Sequence, residues 1–183
     1  MERKTAEEIL VESFRELAAK RNVAKITIKD ITDNCGYSPA TFYRHFKDKY
    51  DLIAWDYTRE VERIMSKVGS SDDCAWTDTL MDAAKYFDEQ KKYLANLFLH
   101  TSGMDAFITY MREINFSILN KCVLKVSGLK ELDEKTMMYI RIYVLGTVQL
   151  ICEWITGNYT AGPEEVADVF EKALPEPLQK YLY

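Results

Sequence analysis

Glycine and proline are scarce, with seven and four in 183 residues. None of the glycines falls into a G-x-G-x-x-G, P-loop or G-x-S-x-G pattern, so loops that cradle phosphate or expose a nucleophilic serine are missing. The two histidines, His45 and His100, leave little material for general-base chemistry. The four cysteines, Cys35, Cys74, Cys122 and Cys152, stand far apart with no Cys-x-x-Cys pair. Zinc sites and redox centres want thiols at short spacing. The cysteines therefore read as small hydrophobes, and no metal, no cofactor and no catalytic pair is expected; the chain does not read as an enzyme. A long uncharged apolar run is also lacking. The most apolar stretch, Met137–Trp154, is interrupted by Arg141, Gln149 and Glu153, which makes a poor membrane span. The opening Met1-Glu2-Arg3-Lys4 is charged and not a signal core, so a cytoplasmic location is expected. The net charge of −5 speaks, if it is evenly spread, against a nucleic-acid partner.

What is present is helical periodicity. Apolar residues recur at 3.6-residue spacing and strict alternation is rare, so the fold class expected is all-α, with about nine helices. Thr5 with Glu8 forms a capping-box pattern opening a first helix to about Arg21, with Ile9, Leu10, Phe14, Leu17 and Ala18 inward. Thr27 with Asp30 opens a second over Ile28–Asn34. Gly36 follows, where a helix end favours a left-handed residue. Ser38 caps a third helix over Pro39–His45, with proline at the first position, and Phe42 and Phe46 as buried anchors. Asp48 caps a fourth reaching about Lys67. Residues 68–73 read as a linker. Later helices are expected over Trp76–Gln90, Lys91–Thr101, Met104–Val126, Glu134–Gly157 and Pro163–Ala173, closed by Pro175, Pro177 and an amphipathic tail. The domain reading is 1–47 as a three-helix head, 48–67 as a connecting helix and 68–183 as a regulatory and dimerisation body.

The segment Thr27–Lys49, TIKDITDNCGYSPATFYRHFKDK, carries the functional signal. A capped helix, a glycine turn and a second capped helix make a helix-turn-helix, whose second helix lies in the DNA major groove. Arg44 can donate two hydrogen bonds to guanine, Thr41 offers a hydroxyl and a methyl, and Ala40 permits close approach or touches a thymine methyl. Tyr43 and His45 suit the flanking phosphates, and helix N-termini beside Thr27 and Lys49 can hold phosphate through backbone N–H groups. The competing reading is two short helices of an ordinary bundle. The charge distribution favours DNA: residues 1–50 carry a net +2 and residues 51–183 a net −7.

The pieces Thr-Ile-x-Asp-Ile, Cys-Gly-Tyr-Ser and Thr-Phe-Tyr-Arg-His-Phe-Lys-Asp-Lys resemble the DNA-binding signature of the TetR/AcrR family of bacterial regulators, over about the first 60 residues. Lys25–Ile31 and Asp48–Trp55 are most similar to regulators of dihydroxyacetone kinase operons. The resemblance implies phosphate contacts from Thr27, Tyr43, His45 and Lys49, and groove-facing Ser38, Ala40, Thr41 and Arg44. Pro39 stands where the family often has a charged residue, which implies fewer base contacts. The implied function is sequence-specific DNA binding by a homodimer on a pseudo-palindromic operator, modulated by a small-molecule inducer or a partner protein. A co-regulator or helical binding module acting mainly through protein partners is the alternative.

The body offers two candidate surfaces. The helix at Met137–Thr156 is apolar on nearly every side, which asks for burial by its own domain and then by something else. Arg141, Ile142, Leu145, Gln149, Cys152 and Thr156, with Val166, Val169 and Phe170 of the next helix, are the expected dimer interface, and Gly146 admits a close partner helix. By resemblance these two helices pair with their twins in a four-helix bundle; a monomer core is the other reading. Phe87, Phe98, His100, Met104, Phe107, Tyr110 and Met111 are candidate lining for an apolar ligand pocket, with plain core as the competing reading. Arg141 is either a salt bridge at the dimer seam or a ligand anchor.

Overall fold

The computed structural model describes residues 4–68, 76–100 and 104–183, without the side chains of residues 100 and 104–106. Ten α-helices and one short 3-10 turn follow one another, with no strand among the described residues. The head consists of α1 (Ala6–Ala18), the 3-10 turn (Val23–Lys25), α2 (Ile28–Cys35) and α3 (Pro39–His45). The connecting helix is α4 (Lys49–Met65). The body adds α5 (Trp76–Glu89), α6 (Lys91–His100), α7 (Met104–Ser127), α8 (Glu134–Ile155), α9 (Pro163–Lys172) and α10 (Glu176–Leu182).

The caps explain the head's boundaries. The Thr5 hydroxyl accepts from Glu8 N–H at 3.3 Å, and the Glu8 carboxylate accepts from Thr5 N–H at 2.7 Å. Thr27 and Asp30 repeat the device at α2. α2 stops at Gly36, whose φ of 74° is the left-handed conformation that only glycine adopts at little cost. Ser38 caps α3 with Pro39 in its first turn, and Asp48 accepts from Tyr50 and Asp51 N–H at the start of α4. Capping of this kind typically contributes ~1 kcal/mol per helix. The 3-10 turn and α10 were not expected from the sequence, which predicted a helix end at Asn22-Val23 and an amphipathic tail after Pro175 and Pro177. The Asn22 side chain caps Ala24 N–H, while Leu178 and Leu182, one turn apart, anchor α10 on α7 and α8. The expected helix ends at Arg21, Lys67 and Gly157 fall short by two or three residues, at Ala18, Met65 and Ile155.

One apolar core runs through both parts, from Leu10, Phe14 and Phe42 in the head to Trp154 and Phe170 in the body. α5 packs most extensively on α9, and α7 on α8 and α4; α6 touches the head at α1 and the 3-10 turn. Cys122 and Cys152 are buried and Cys35 half-buried; Cys74 lies outside the described residues. α8 is long and apolar enough by length and composition to cross a membrane, but α5, α6, α7 and α10 cover much of it.

Candidate nucleic-acid interface

α3 is held by a single buried face. Phe42 is inaccessible to solvent and meets Tyr43 edge-on and Phe46 at a tilt. This orientation turns Ser38, Ala40, Tyr43, Arg44 and His45 outward, with Thr41 half-buried; Tyr43 is 60% exposed. The outward groups hold one another. Ser38 and Thr41 hydroxyls lie 3.1 Å apart, and Arg44 Nη2 donates to Thr41 Oγ1 at 3.1 Å. His45 Nδ1 lies 2.8 Å from Glu7 Oε1 on α1. Backbone hydrogen bonding holds the Glu7 carboxyl below its ordinary range, and His45 adds to that. These local bonds can be exchanged for base edges and phosphates, since each group keeps solvent access.

Two predicted phosphate contacts sit differently. Thr27 both accepts from Asp30 N–H and donates to its carboxylate, so the hydroxyl is committed to the cap. The backbone N–H of Thr27 and its hydroxyl, with Arg21, hold the Asp30 carboxyl down at about 2. Lys49 is half-buried, and its ammonium donates to Val23, Ala24 and Ile26 carbonyls at 2.9, 3.1 and 3.0 Å. All three N–H groups of a lysine have acceptors there. Lys49 thus reads as a clamp on the 3-10 turn in place of a free phosphate ligand. Sequence reasoning missed it because the acceptors lie more than twenty residues upstream.

Polar contacts tie α1 and the 3-10 turn to α4 and α6, and α4 in turn to α7. Arg15 on α1 forms a two-pronged pair with Asp56 on α4, both bonds 2.8 Å, and Tyr93 on α6 donates to the same carboxylate at 3.3 Å. Burial pushes the Asp56 carboxyl up, and the Arg15 guanidinium opposes it. Asn96 on α6 donates to Ala18 and Arg21 carbonyls at 2.5 and 2.6 Å and accepts from Val23 N–H at 3.3 Å. It closes the C-terminal end of α1, where carbonyls have no helical partner. Thr58 on α4 and the Tyr110 hydroxyl on α7 lie 2.6 Å apart.

In the body, the predicted pocket residues mostly pack on one another. Phe98 and Met111 are fully buried, and Phe107 meets Tyr57, Phe98 and Tyr110 ring to ring. His100 and Met104 side chains lie outside the described residues. A cavity of about 80 Å³ opens elsewhere, among α4, α5, α7, α8 and α9, lined by Trp76, Thr79, Asn115, Tyr143 and Phe170 among others; of the predicted pocket residues, only Phe87 reaches it. Aromatic density marked the core, because a pocket is the place where side chains fail to meet.

The predicted dimer face divides in the same way. Ile142, Leu145, Gln149, Thr156 and Val169 are exposed, joined by Met138, and a Cβ on Gly146 would meet nothing. Cys152, Val166 and Phe170 are buried in the chain's own core and back this face without forming it. Arg141 pairs within the chain, with Glu113 at 2.7 Å, and covers the Phe116 ring at 3.8 Å. Gln149 accepts from Arg112 at 3.0 Å.

A helix-turn-helix with a solvated second helix, set on a larger helical body, defines a DNA-binding regulator. A family model described as bacterial regulatory proteins, tetR family, matches residues 10–54, and one described as transcriptional regulator C-terminal region matches residues 75–176. The chain belongs to the TetR family of transcriptional regulators. Similar solved structures include the dihydroxyacetone kinase operon activator DhaS, with TM-score 0.72, 16% identity, and 97% of this chain and 98% of that one covered. A TetR transcriptional regulator from Rhodococcus sp. RHA1 gives 0.66 and 17%, covering 98% and 100%. The TetR family repressor AlkX from Dietzia sp. strain DQ12-45-1b gives 0.58 and 15%, covering all of both chains. One relative is described as an activator and another as a repressor, so the likeness carries the fold and not the sign of regulation.

Proposed function

We propose that the chain acts in the cytoplasm as a homodimer that reads a pseudo-palindromic operator through two copies of α3, and that a small molecule or a partner protein bound by the body shifts operator affinity. The outward face of α3 is the observation that carries this reading. It presents groove-sized polar groups at its tip while Phe42 alone anchors it. A seven-residue helix covers too little DNA for tight recognition. Two heads about 34 Å apart, one turn of DNA, remedy that. The exposed apolar stripe Met138, Ile142 and Leu145 on α8, open beside Gly146, suits a second copy of the same helix. An effector can act only by binding the DNA-competent and incompetent states differently. The Arg15–Asp56–Tyr93 and Asn96 contacts would transmit such a difference, since α4 and α6 each touch both parts.

A gel shift on the DNA upstream of the chain's own gene, with salt titrated, tests the reading. Specific binding that weakens steeply with salt is expected. Tyr43→Ala should weaken all sequences alike, whereas Arg44→Ala should relax preference at particular bases at a cost of ~1–3 kcal/mol. Ile142→Glu should convert a sedimenting dimer to a folded monomer and weaken operator binding with it. A parent protein that sediments as a monomer with and without DNA would refute the dimer.

A further inference from the structure

The outward face of α3 carries one histidine, and a carboxylate from another helix holds it. His45 ends α3, Glu7 sits in the first turn of α1, and the ring Nδ1 lies 2.8 Å from Glu7 Oε1. The two side chains are 27% and 31% exposed, so the pair is neither buried nor free in solvent. Among the described residues the ring makes no other hydrogen bond, which leaves Nε2 for an outside partner.

Donor and acceptor roles in this pair are constrained. Backbone hydrogen bonding, with His45 adding to it, keeps the Glu7 carboxyl below its ordinary range, so at neutral pH it is a carboxylate that only accepts. Nδ1 must therefore carry the proton of that bond. In the neutral ring this leaves Nε2 a bare acceptor. A DNA phosphate also only accepts, so neutral His45 has nothing to offer it. The imidazolium carries an N–H on each nitrogen and can bond Glu7 and a phosphate at once. Swinging the ring to offer Nδ1–H instead would leave the Glu7 carboxylate without its donor beside an incoming polyanion.

The other charges around the pair are engaged elsewhere. On α1, Glu8 pairs with Arg59 and Glu12 with Lys4. On α2, Asp30 pairs with Arg21 and Asp33 with Lys29. Arg44, on α3 itself, turns to Thr41. At the start of α4, Asp48 caps the helix, Asp51 accepts from the exposed Lys47 through its backbone N–H, and Lys49 is held by three carbonyls.

We infer that His45 grips DNA phosphate only as the imidazolium, that Glu7 is the positioning residue imposing this, and that DNA binding is therefore coupled to proton uptake by each head. This rests on the proposed reading of α3 as the groove helix. The proton comes from solvent wherever the ring is neutral in the free protein, and returns to it when the complex dissociates. Histidine is the side chain whose charge ordinarily changes between about pH 5 and 8. Operator affinity thus becomes a function of pH in that range, through one of only two histidines in the chain.

The test is fluorescence anisotropy of the full-length protein on a labelled duplex from upstream of its own gene, from about pH 6 to about pH 8 at fixed salt. The parent's affinity should fall roughly tenfold or more as pH rises, since one charge-assisted hydrogen bond is worth about that factor and a dimer makes two. His45→Gln should flatten the profile. Glu7→Gln keeps an acceptor for Nδ1 but removes the anion, so the profile should move to lower pH by about half a unit; a merely structural bond would leave it in place. The parent's log–log salt slope should be steeper at the acid end by about one per head, for one phosphate each. Without DNA, the imidazole nitrogen resonances of His45, assigned by His45→Gln, should report an Nδ1–H ring at the alkaline end. A ring protonated at Nε2 there overturns the inference, as does a profile that His45→Gln does not flatten or that Glu7→Gln does not move. Binding to no duplex at any pH overturns the regulator reading and this contact with it, whereas binding without pH dependence overturns this inference alone.

Discussion

The exposed faces of α3 and α8 are built from opposite materials. α3 presents hydroxyls, a guanidinium and an imidazole held by short local bonds, beside the exposed Tyr43 phenol. α8 presents Met138, Ile142 and Leu145, with no polar group competing along the stripe between Arg141 and Gln149. A polyanion rewards the first kind of face, because its phosphates and base edges replace bonds that water or neighbours already supply. A copy of the same apolar helix rewards the second, because only removal from water stabilises it. On the proposed reading, the head works by exchange of polar partners and the body by burial against a second copy. Residues 1–50 carry a net +2 and residues 51–183 a net −7, so a polyanion is attracted to the first and repelled by the second.

Substitutions that break this division give the sharpest check. Phe42→Ala, beneath the α3 face, should destabilise the protein by about 3–5 kcal/mol in chemical denaturation, whereas its neighbour Tyr43→Ala should stay within about 0.5 kcal/mol and reveal itself only in DNA binding. Asp56→Ala should cost about 3 kcal/mol, at the low end for a broken buried pair because Arg15 keeps some access to water; equal stability of the variant would show that the link between head and body is not held there. Asn96→Ala leaves the carbonyls of Ala18 and Arg21 without a donor. It should cost about 1–2 kcal/mol and raise amide exchange at the end of α1 and in the 3-10 turn, with α8 unaffected. The smallest effect is acid-dependent. The folded Asp30 carboxyl titrates at about 2, below its ordinary 3.8, so its contribution is complete above the ordinary value and is lost as pH falls from about 4 towards 2. Asp30→Asn should flatten the parent's loss of stability across that window, followed by circular dichroism.

Legibility followed the range of the interactions involved. Thr5, Thr27, Ser38, Asp48 and Gly36 act on backbone groups within four residues, so their roles were readable from order along the chain. The outward set on α3 was readable for the same reason, because helical period and one buried phenylalanine fix which residues remain outside. The carbonyl partners of Lys49 were not legible because they come from the 3-10 turn and its cap, which the sequence did not announce. Cys152, Val166 and Phe170 share a period with exposed neighbours, and nothing local tells which apolar stripe its own domain will cover.

By itself the sequence determined an all-α chain, the capped helix-turn-helix and the face that α3 turns outward, since these depend on propensity, capping and period over a few residues. Only the tertiary structure decided where the body leaves a void, which apolar side chains remain on its surface, and that Arg141 finds Glu113 within its own chain. Those outcomes depend on side chains far apart in sequence meeting or failing to meet, and packing is a property of all the helices together.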